Sequence, residues 1–192
     1  PLYLFAHSMG GAVAAIAAAR EPYIYKKVIL SSPMIRPLTG NVPYPAAIRI
    51  SRAACRTGRE MKYVAGQKPY DGTEQFETSS GLSRPRFERY RNNIECRTFS
   101  PSYGWMYNAA KMNWYLQRSA WKDIAAPILL FQAETDSLVS LKAQDIFAEK
   151  INNCGKTSCT LIRMAGTKHE IFNAQDDILE TYWGHVFGFL KG

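Results

Sequence analysis

The stretch that most constrains the fold is Ala6-His-Ser-Met-Gly10, which stands between a short apolar run and an alanine-rich run. Leu2 to Phe5 predicts a buried strand, and Ala12 to Ala19 predicts a helix packed closely on a sheet. A strand that turns sharply into a helix needs small residues, because the two backbones approach each other. The stretch matches the pattern G-x-S-x-G with alanine in the first glycine position, and Gly11 would let the helix start close to the sheet. This predicts an exposed nucleophile at Ser8; the alternative is an ordinary strand–helix turn that Ser8 caps.

Length and composition indicate one domain with a substantial core, since the chain has 192 residues and is 46% hydrophobic. No apolar run approaches the roughly 18 residues that a membrane span needs, and no secretory signal is visible. The chain starts at Pro1, directly in a predicted core strand. We therefore expect that an N-terminal part is absent, and that these residues alone are inactive and poorly folded. We expect a cytoplasmic protein or one peripheral to the inner face of the cell membrane.

The four cysteines do not form the pattern of a disulfide framework in a chain of this length. Cys154 and Cys159 flank a turn-like stretch and leave a local bridge open as an alternative, but free thiols are the expectation. A zinc site needs a second ligand pair or a histidine cluster, and the sequence offers neither. We expect no metal and no cofactor.

The net charge of +8 is concentrated in one segment. Residues 36–122 hold fifteen lysines and arginines and six acidic residues, a balance of +9, and the rest of the chain balances at −1. Such a surplus suits a phosphate-bearing substrate or an anionic membrane; the alternative is a solvated surface. Nucleic acid is not expected as a partner, because no binding motif accompanies the charge. The oligomeric state is left open.

Strand and helix patterns alternate on both sides of this basic segment, which predicts a mostly parallel sheet with crossover helices. The predicted strands after the first are Lys27 to Pro33, Pro127 to Gln132 and Thr160 to Met164, and the helices near the end are Leu141 to Ile151 and Asp176 to Leu190. Roughly ninety residues separate the second strand from the third, too many for a plain crossover. We expect a core of residues 1–35 and 123–192 and a cap or lid over 36–122.

The cap is predicted to be mostly helical. Its expected parts are a helix from Tyr44 to Arg56, a mobile loop from Lys62 to Leu82, a helix from Arg84 to Arg97 and an aromatic-rich helix from Tyr103 to Trp121. Trp105 is a candidate for lining an acyl cavity, although such an aromatic stripe is also typical of core packing. Arg86 and Arg89 are candidates for contacting a charged head group.

A serine nucleophile needs a base, and the base needs an orienting acid. His169 follows a predicted strand, where α/β enzymes place catalytic groups, and is the candidate base. His7 points away from its neighbour Ser8 on an extended strand and is expected to brace the turn. Asp136 stands where another strand gives way to a turn and is the candidate acid, with Glu134 as the alternative.

The remaining histidine, His185, lies in the last predicted helix. There it recurs at helical spacing with Ile178, Tyr182 and Phe189, so we expect it to be packed in the core.

The order serine, aspartate, histidine is that of the α/β-hydrolase triad. Five stretches strengthen the comparison: Ala6-His-Ser-Met-Gly-Gly11, Leu30-Ser-Ser-Pro-Met34, Ser102-Tyr-Gly-Trp105, Ile128-Leu-Leu-Phe-Gln-Ala133 and Gly166-Thr-Lys-His-Glu-Ile171. In these the chain resembles the lysophospholipase L2-like α/β-hydrolases, within the monoacylglycerol-lipase and serine-aminopeptidase-like superfamily. The resemblance implies an α/β-hydrolase fold with an inserted helical cap and hydrolysis of a fatty acyl ester. It places Ser8, Asp136 and His169 at the triad positions.

Acyl transfer also needs donors for the oxyanion. The backbone N–H of Met9 is the expected first donor, and the second is expected from a loop outside this chain. The leading hypothesis is a lysophospholipase, with a monoacylglycerol lipase or a small-ester esterase as alternatives. A proline aminopeptidase is disfavoured because the cap lacks an acidic cluster, and a non-catalytic binding protein of the same fold is the alternative of another class.

Overall fold

The structure is a computed structural model that describes residues 1–93 and 100–192. Its four strands form one sheet and are β1 (Leu2–His7), β2 (Tyr25–Ser31), β3 (Ile128–Ala133) and β4 (Cys159–Met164). The α-helices of the described residues are α1 (Ser8–Arg20), α2 (Tyr44–Arg56), α3 (Arg84–Asn92), α4 (Tyr103–Arg118), α5 (Leu141–Cys154) and α6 (Asp176–Lys191). Short 3₁₀ helices cover Phe76–Thr78, Ala120–Lys122 and Ile171–Asn173. The expected alternation of strands and helices is confirmed.

The sheet is parallel, and its strands lie side by side in chain order, β1-β2-β3-β4. Parallel neighbours need crossover connections, and α1, α5 and the long segment between β2 and β3 supply them. The carboxyl ends of β1, β3 and β4 therefore meet at one edge, where ligands bind in open α/β sheets.

The hydrophobic core has two halves, one on each face of the sheet. Alternate residues of β2 and β3 point to opposite faces, as strand geometry requires. One face is covered by α1 and α5 together with Leu116 of α4, and the other by α6. The buried residues of α1 are nearly all alanines, and because these side chains are small, the backbone of the helix lies close to the sheet.

The predicted cap segment contains α2, α3 and α4, and α2 packs against α4. The helix from Tyr44 to Arg56 is confirmed. The helix expected to reach Arg97 is described only as far as Asn92, and the rest of that prediction lies outside the described residues. The aromatic-rich helix is shorter than expected, because it ends at Arg118 and a 3₁₀ turn follows. None of the helices among the described residues is long and apolar enough to cross a bilayer.

One expectation about burial is wrong, and another stays a prediction. Among the described residues β1 pairs with β2, and Leu2, Tyr3 and Phe5 are exposed; the burial of this strand depends on what pairs with its other edge. His185 was expected in the core, but it is exposed, because α6 turns another face to the sheet. The buried residues of that helix are Leu179, Tyr182 and Val186.

Of the cysteines, Cys55, Cys154 and Cys159 are free thiols, so the local bridge between the last two is not formed. Burial raises the pKa of Cys159 to about 12, which leaves this thiol protonated and unreactive at neutral pH. Cys96 lies outside the described residues.

Candidate active site

The turn at Ser8 joins the end of β1 to the start of α1 without a connecting loop. Ser8 has a φ of 52°, a left-handed conformation that L-residues other than glycine adopt at a cost. A hydrogen bond from the segment after β2 stabilises the turn, since the N–H of Met34 donates to the Ser8 carbonyl at 2.8 Å. This strained conformation, the one expected of a nucleophile elbow, lifts the serine side chain above the sheet edge.

Gly11 explains how α1 can start so close to β2. A Cβ atom at this position would lie 2.8 Å from Pro33 Cβ and 3.0 Å from Pro33 Cα, too close for any side chain. A Cβ at Gly10 would meet only Ala6 Cβ, at 4.0 Å, an ordinary contact. The glycine that close packing requires in this turn is therefore Gly11. The 4.0 Å between the Cβ positions of Gly10 and Ala6 also leaves room for alanine at position 6 in place of the usual glycine.

Ser8, His169 and Asp136 form one hydrogen-bonded chain. His169 Nε2 lies 2.8 Å from Ser8 Oγ, and His169 Nδ1 lies 2.7 Å from Asp136 Oδ2. The carboxylate can only accept, so Nδ1 carries the hydrogen, and in the neutral ring Nε2 is free to accept from the serine hydroxyl. The side chains of His169 and Asp136 are 4% and 0% exposed, which shields the hydrogen bond between them from water.

The acid loop, residues 134–140 between β3 and α5, separates the two candidate acids. The Oδ1 atom of Asp136 accepts from the N–H groups of Leu138 and Val139 at 2.9 and 3.0 Å, which aims Oδ2 at the histidine. Glu134 instead accepts from the Gly166 N–H at 2.7 Å and is exposed. The structure thus brings Asp136, and not Glu134, to His169.

His7 lies beside His169, the candidate base. Its ring is 4.8 Å from the ring of His169 and 4.8 Å from that of Phe172, and its Nδ1–H donates to the Ser31 carbonyl at 3.0 Å. Burial, and then the neighbouring imidazole of His169, lower the pKa of His7 to about 4. His7 is therefore neutral at pH 7, and it packs against the base without adding a positive charge beside it.

The candidate oxyanion donor and cap residues occupy different places. Met9 is the second residue of α1, and N–H groups in the first turn of a helix have no partner within the helix. The Nε1–H of Trp105 donates to Met9 Sδ at 3.2 Å, so the indole lies beside the elbow. Arg86 binds the Ala174 carbonyl and the Asp176 carboxylate, and Arg89 is exposed on α3.

Two groups of contacts were missed from the sequence. The buried Thr167 joins the acid loop to the loop that carries His169, since the N–H and the hydroxyl of Thr135 both donate to its carbonyl, at 3.0 and 3.1 Å. Ser80 in the cap segment donates to Glu170, next to the base, at 2.7 Å. A turn-type residue two places before His169 was the only sequence signal for the first group, and no local pattern marked the second.

Among the described residues, no group of three or more histidine, cysteine or acidic side chains is arranged to hold a metal ion.

The curated relative in Escherichia coli K12 named "Lysophospholipase L2" is 26% identical to this chain over 151 residues. The match covers 77% of this chain and 44% of the relative, so the chain spans about half the length of the protein it matches.

Solved structures share the fold at low identity. A monoacylglycerol lipase from Paleococcus ferrophilus matches with a TM-score of 0.71 and 18% identity, over 98% of this chain and 68% of that one. A carboxyl esterase from Bacillus coagulans matches with a TM-score of 0.72 and 18% identity, over 100% of this chain and 64% of that one. A monoglyceride lipase variant from Saccharomyces cerevisiae matches with a TM-score of 0.67 and 17% identity, over 100% of this chain and 62% of that one. These likenesses establish the α/β-hydrolase fold.

The family model described as serine aminopeptidase, S33, matches residues 1–176, a span that begins before the elbow and includes both loops around His169. A match over so much of the chain, on a parallel sheet of this topology, means that the protein belongs to the serine aminopeptidase S33 family of α/β-hydrolases.

Proposed function

We propose that the protein is a serine carboxylic-ester hydrolase that acts on lipid acyl esters, with lysophospholipids as its substrates. The observation that carries the proposal is the chain from Ser8 Oγ through His169 to Asp136, with distances of 2.8 and 2.7 Å. A serine hydroxyl becomes an effective nucleophile when a histidine accepts its proton and an acid fixes that histidine. The name of the relative from Escherichia coli supports the lysophospholipid as substrate.

The proposed reaction starts when Ser8 Oγ attacks the ester carbonyl carbon and its proton passes to His169 Nε2. Asp136 holds the ring with Nδ1–H towards the carboxylate and stabilises the imidazolium that forms. The carbonyl oxygen becomes an oxyanion, which the Met9 N–H at the start of α1 would stabilise. Acyl transfer of this kind uses a second N–H donor beside the first.

The tetrahedral intermediate then collapses to an acyl-serine, and the leaving glycerophospho-alcohol takes the proton from His169. Water enters, gives its proton to the same nitrogen and attacks the acyl carbon. The fatty acid leaves, and the proton returns to Ser8. The pair of steps consumes one water molecule and restores the enzyme.

The preference for a phosphate-bearing substrate is supported by the +9 balance of residues 36–122. A monoacylglycerol lipase remains the alternative, since proteins with that activity in their names share the fold. The test is kcat/KM of the full-length protein for lysophosphatidylglycerol, which has a net negative charge, and for a monoacylglycerol with the same acyl chain, at low and high salt. We expect the lysophospholipid to be preferred, and the preference to shrink at high salt because salt screens exposed charges. A preference for the monoacylglycerol would favour the alternative, and a preference that salt does not change would exclude the basic segment as the recognition element.

Peripheral contact with an anionic lipid surface is also proposed, and one face of α2 supports it. Three exposed arginines, at spacings of three and four residues, share that face: Arg49, Arg52 and Arg56. None of the three has an ion pair with another described residue. A row of basic side chains on one exposed helix face attracts an anionic lipid surface.

Vesicle binding tests this contact. Changing the three arginines to glutamine should weaken binding to vesicles containing phosphatidylglycerol on the order of 100-fold, because each basic residue near the surface contributes about 1 kcal/mol. The matched control removes three charges elsewhere, at the exposed residues Lys26, Lys142 and Lys191. An equal loss in the control would reduce the effect to net charge, and unchanged binding in the arginine variant would refute the contact.

A non-catalytic binding protein of the same fold is the alternative of another class. It would need neither a strained Ser8 nor a base and an acid aligned behind it, whereas this chain has all three. Failure of the full-length protein to hydrolyse any acyl ester, with binding of the same lipids retained, would favour that alternative.

A further inference from the structure

The histidine loop, residues 165–175 between β4 and α6, is crossed by a segment of the predicted cap. We call residues 77–86 the brace segment. At one end of the crossing, Lys168 Nζ donates to the carbonyls of Glu77 and Ser79 at 3.2 and 3.1 Å. At the other end, Arg86 donates to the Ala174 carbonyl at 2.9 Å. The brace segment is therefore attached on both sides of His169.

The middle of the crossing holds the residue next to the base. The N–H of Glu170 donates to the Ser80 carbonyl at 3.0 Å, and the hydroxyl of Ser80 donates to Glu170 Oε1 at 2.7 Å. The other carboxylate oxygen, Oε2, accepts from Asn173 Nδ2 at 2.6 Å. Both oxygens of Glu170 and its backbone N–H are thus engaged, and Ser80 makes two of the three bonds.

Close packing accompanies these bonds. The N–H groups of Leu82 and Ser83 both donate to the Asn173 carbonyl, at 3.0 and 2.9 Å. A Cβ atom at Gly81 would lie 3.2 Å from Asn173 Cβ, so the two backbones are nearly in contact. The backbone of the brace segment therefore follows the histidine loop rather than merely shielding it.

We propose that Ser80 is a positioning residue for the base, acting through Glu170 to hold the histidine loop so that His169 stays aligned with Ser8. The proposal rests on the proposed function, in which His169 takes the serine proton. Loops on a sheet edge are the least constrained parts of an α/β protein, and His169 must satisfy two hydrogen bonds in different directions. A fixed neighbour restricts the backbone that carries the ring, and a displacement of about 1 Å at a reacting group costs on the order of 10²-fold in rate.

The acid loop is bonded to the histidine loop through Thr167, but it also has an attachment of its own that does not involve Ser80. It is attached to the start of the predicted cap, where the Ser140 N–H donates to the Arg36 carbonyl at 2.9 Å and the Leu38 N–H donates to the Leu138 carbonyl at 2.8 Å. Loss of the Ser80 hydroxyl should therefore move the base relative to an acid and a nucleophile that stay in place. The expected signature is a lower kcat with an unchanged KM, because the substrate would bind as before.

The test compares kcat, KM and the rate of reaction with a fluorophosphonate for Ser80→Ala, Ser80→Thr and Ser83→Ala in the full-length protein. Ser83 lies in the same segment, and no described residue bonds its hydroxyl, so Ser83→Ala is the matched control. We expect kcat and the fluorophosphonate rate to fall about tenfold in Ser80→Ala, to be restored in Ser80→Thr and to be unchanged in Ser83→Ala. Glu170→Ala should lower kcat as well, and Ser80→Ala should add little in that background if the two residues act through one contact.

The outcomes separate the two proposals. A wild-type protein that neither turns over esters nor reacts with the fluorophosphonate would overturn the proposed function. An active wild type whose kcat is unchanged in Ser80→Ala, or falls equally in Ser83→Ala, would overturn the positioning role alone. Independent, multiplicative losses in the double variant would also overturn it, because they would mean that Ser80 does not act through Glu170.

Discussion

Replacing Gly11 with alanine would place a methyl group 2.8 Å from Pro33 Cβ and 3.0 Å from Pro33 Cα. Non-bonded carbon atoms pack at about 3.5–4.0 Å, so α1 would have to move away from Pro33, in the segment after β2, by about 1 Å. Overpacking of this kind costs about 1–3 kcal/mol. A gain of roughly 1 kcal/mol from replacing a helical glycine with alanine opposes it. We expect a net loss of up to about 2 kcal/mol in the free energy of unfolding.

Gly10→Ala is the matched control, because it makes the same change one residue earlier in the same helix. A Cβ there meets only Ala6 Cβ, at 4.0 Å, so this variant should be neutral or up to about 1 kcal/mol more stable. Urea denaturation gives both free energies, and the fluorophosphonate rate reports whether Ser8 has moved with its helix. A Gly11→Ala protein as stable as Gly10→Ala would refute the argument that close approach to Pro33 fixes the glycine.

Two further substitutions test the groups around the base. Between pH 6.5 and about 4 the unfolded chain binds a proton at His7 that the folded chain does not, because burial lowers the pKa of His7 to about 4. The free energy of unfolding should therefore fall as the pH is lowered through this window, by at most about 3 kcal/mol. Urea denaturation of His7→Gln should show a flatter pH dependence, and a slope identical to that of the wild type would contradict a lowered pKa at His7. Asp136→Asn should lower kcat by about 10⁴-fold, because an amide does not hold the required tautomer of His169. Glu134→Gln should lower kcat far less, and the reverse order would identify Glu134 as the acid.

The parts of the fold that the sequence predicted well are those set by local patterns. The elbow, the alternation of strands and helices and the helix from Tyr44 to Arg56 each depend on residues that are neighbours in the chain. The sequence also predicted that Ser8, Asp136 and His169 would come together, since parallel strands bring their carboxyl ends to one edge. The structure brings the three within hydrogen-bonding distance, and their catalytic roles stay a prediction.

The features that the sequence did not predict depend on tertiary packing, which brings together residues that are far apart in the chain. An apolar run such as Leu2 to Phe5 indicates a strand, but how far that strand is buried depends on the strands beside it, and the described residues provide one, β2. Helical periodicity predicted that His185 is buried, because it lies on a row of apolar residues in α6. The row that packs against the sheet is the neighbouring one, which contains Leu179, Tyr182 and Val186. The contact of Ser80 with Glu170 joins residues ninety positions apart, and no local spacing reports such a pair.

Reaction of the full-length protein with a fluorophosphonate, followed by identification of the modified residue by mass spectrometry, tests the central claim most directly. The account predicts one modified residue, Ser8, and a complete loss of labelling in Ser8→Ala. It also predicts slower labelling in His169→Ala, since the reagent needs an activated hydroxyl. An unlabelled wild-type protein, or labelling that persists in Ser8→Ala, would contradict the claim that this chain carries a serine hydrolase site.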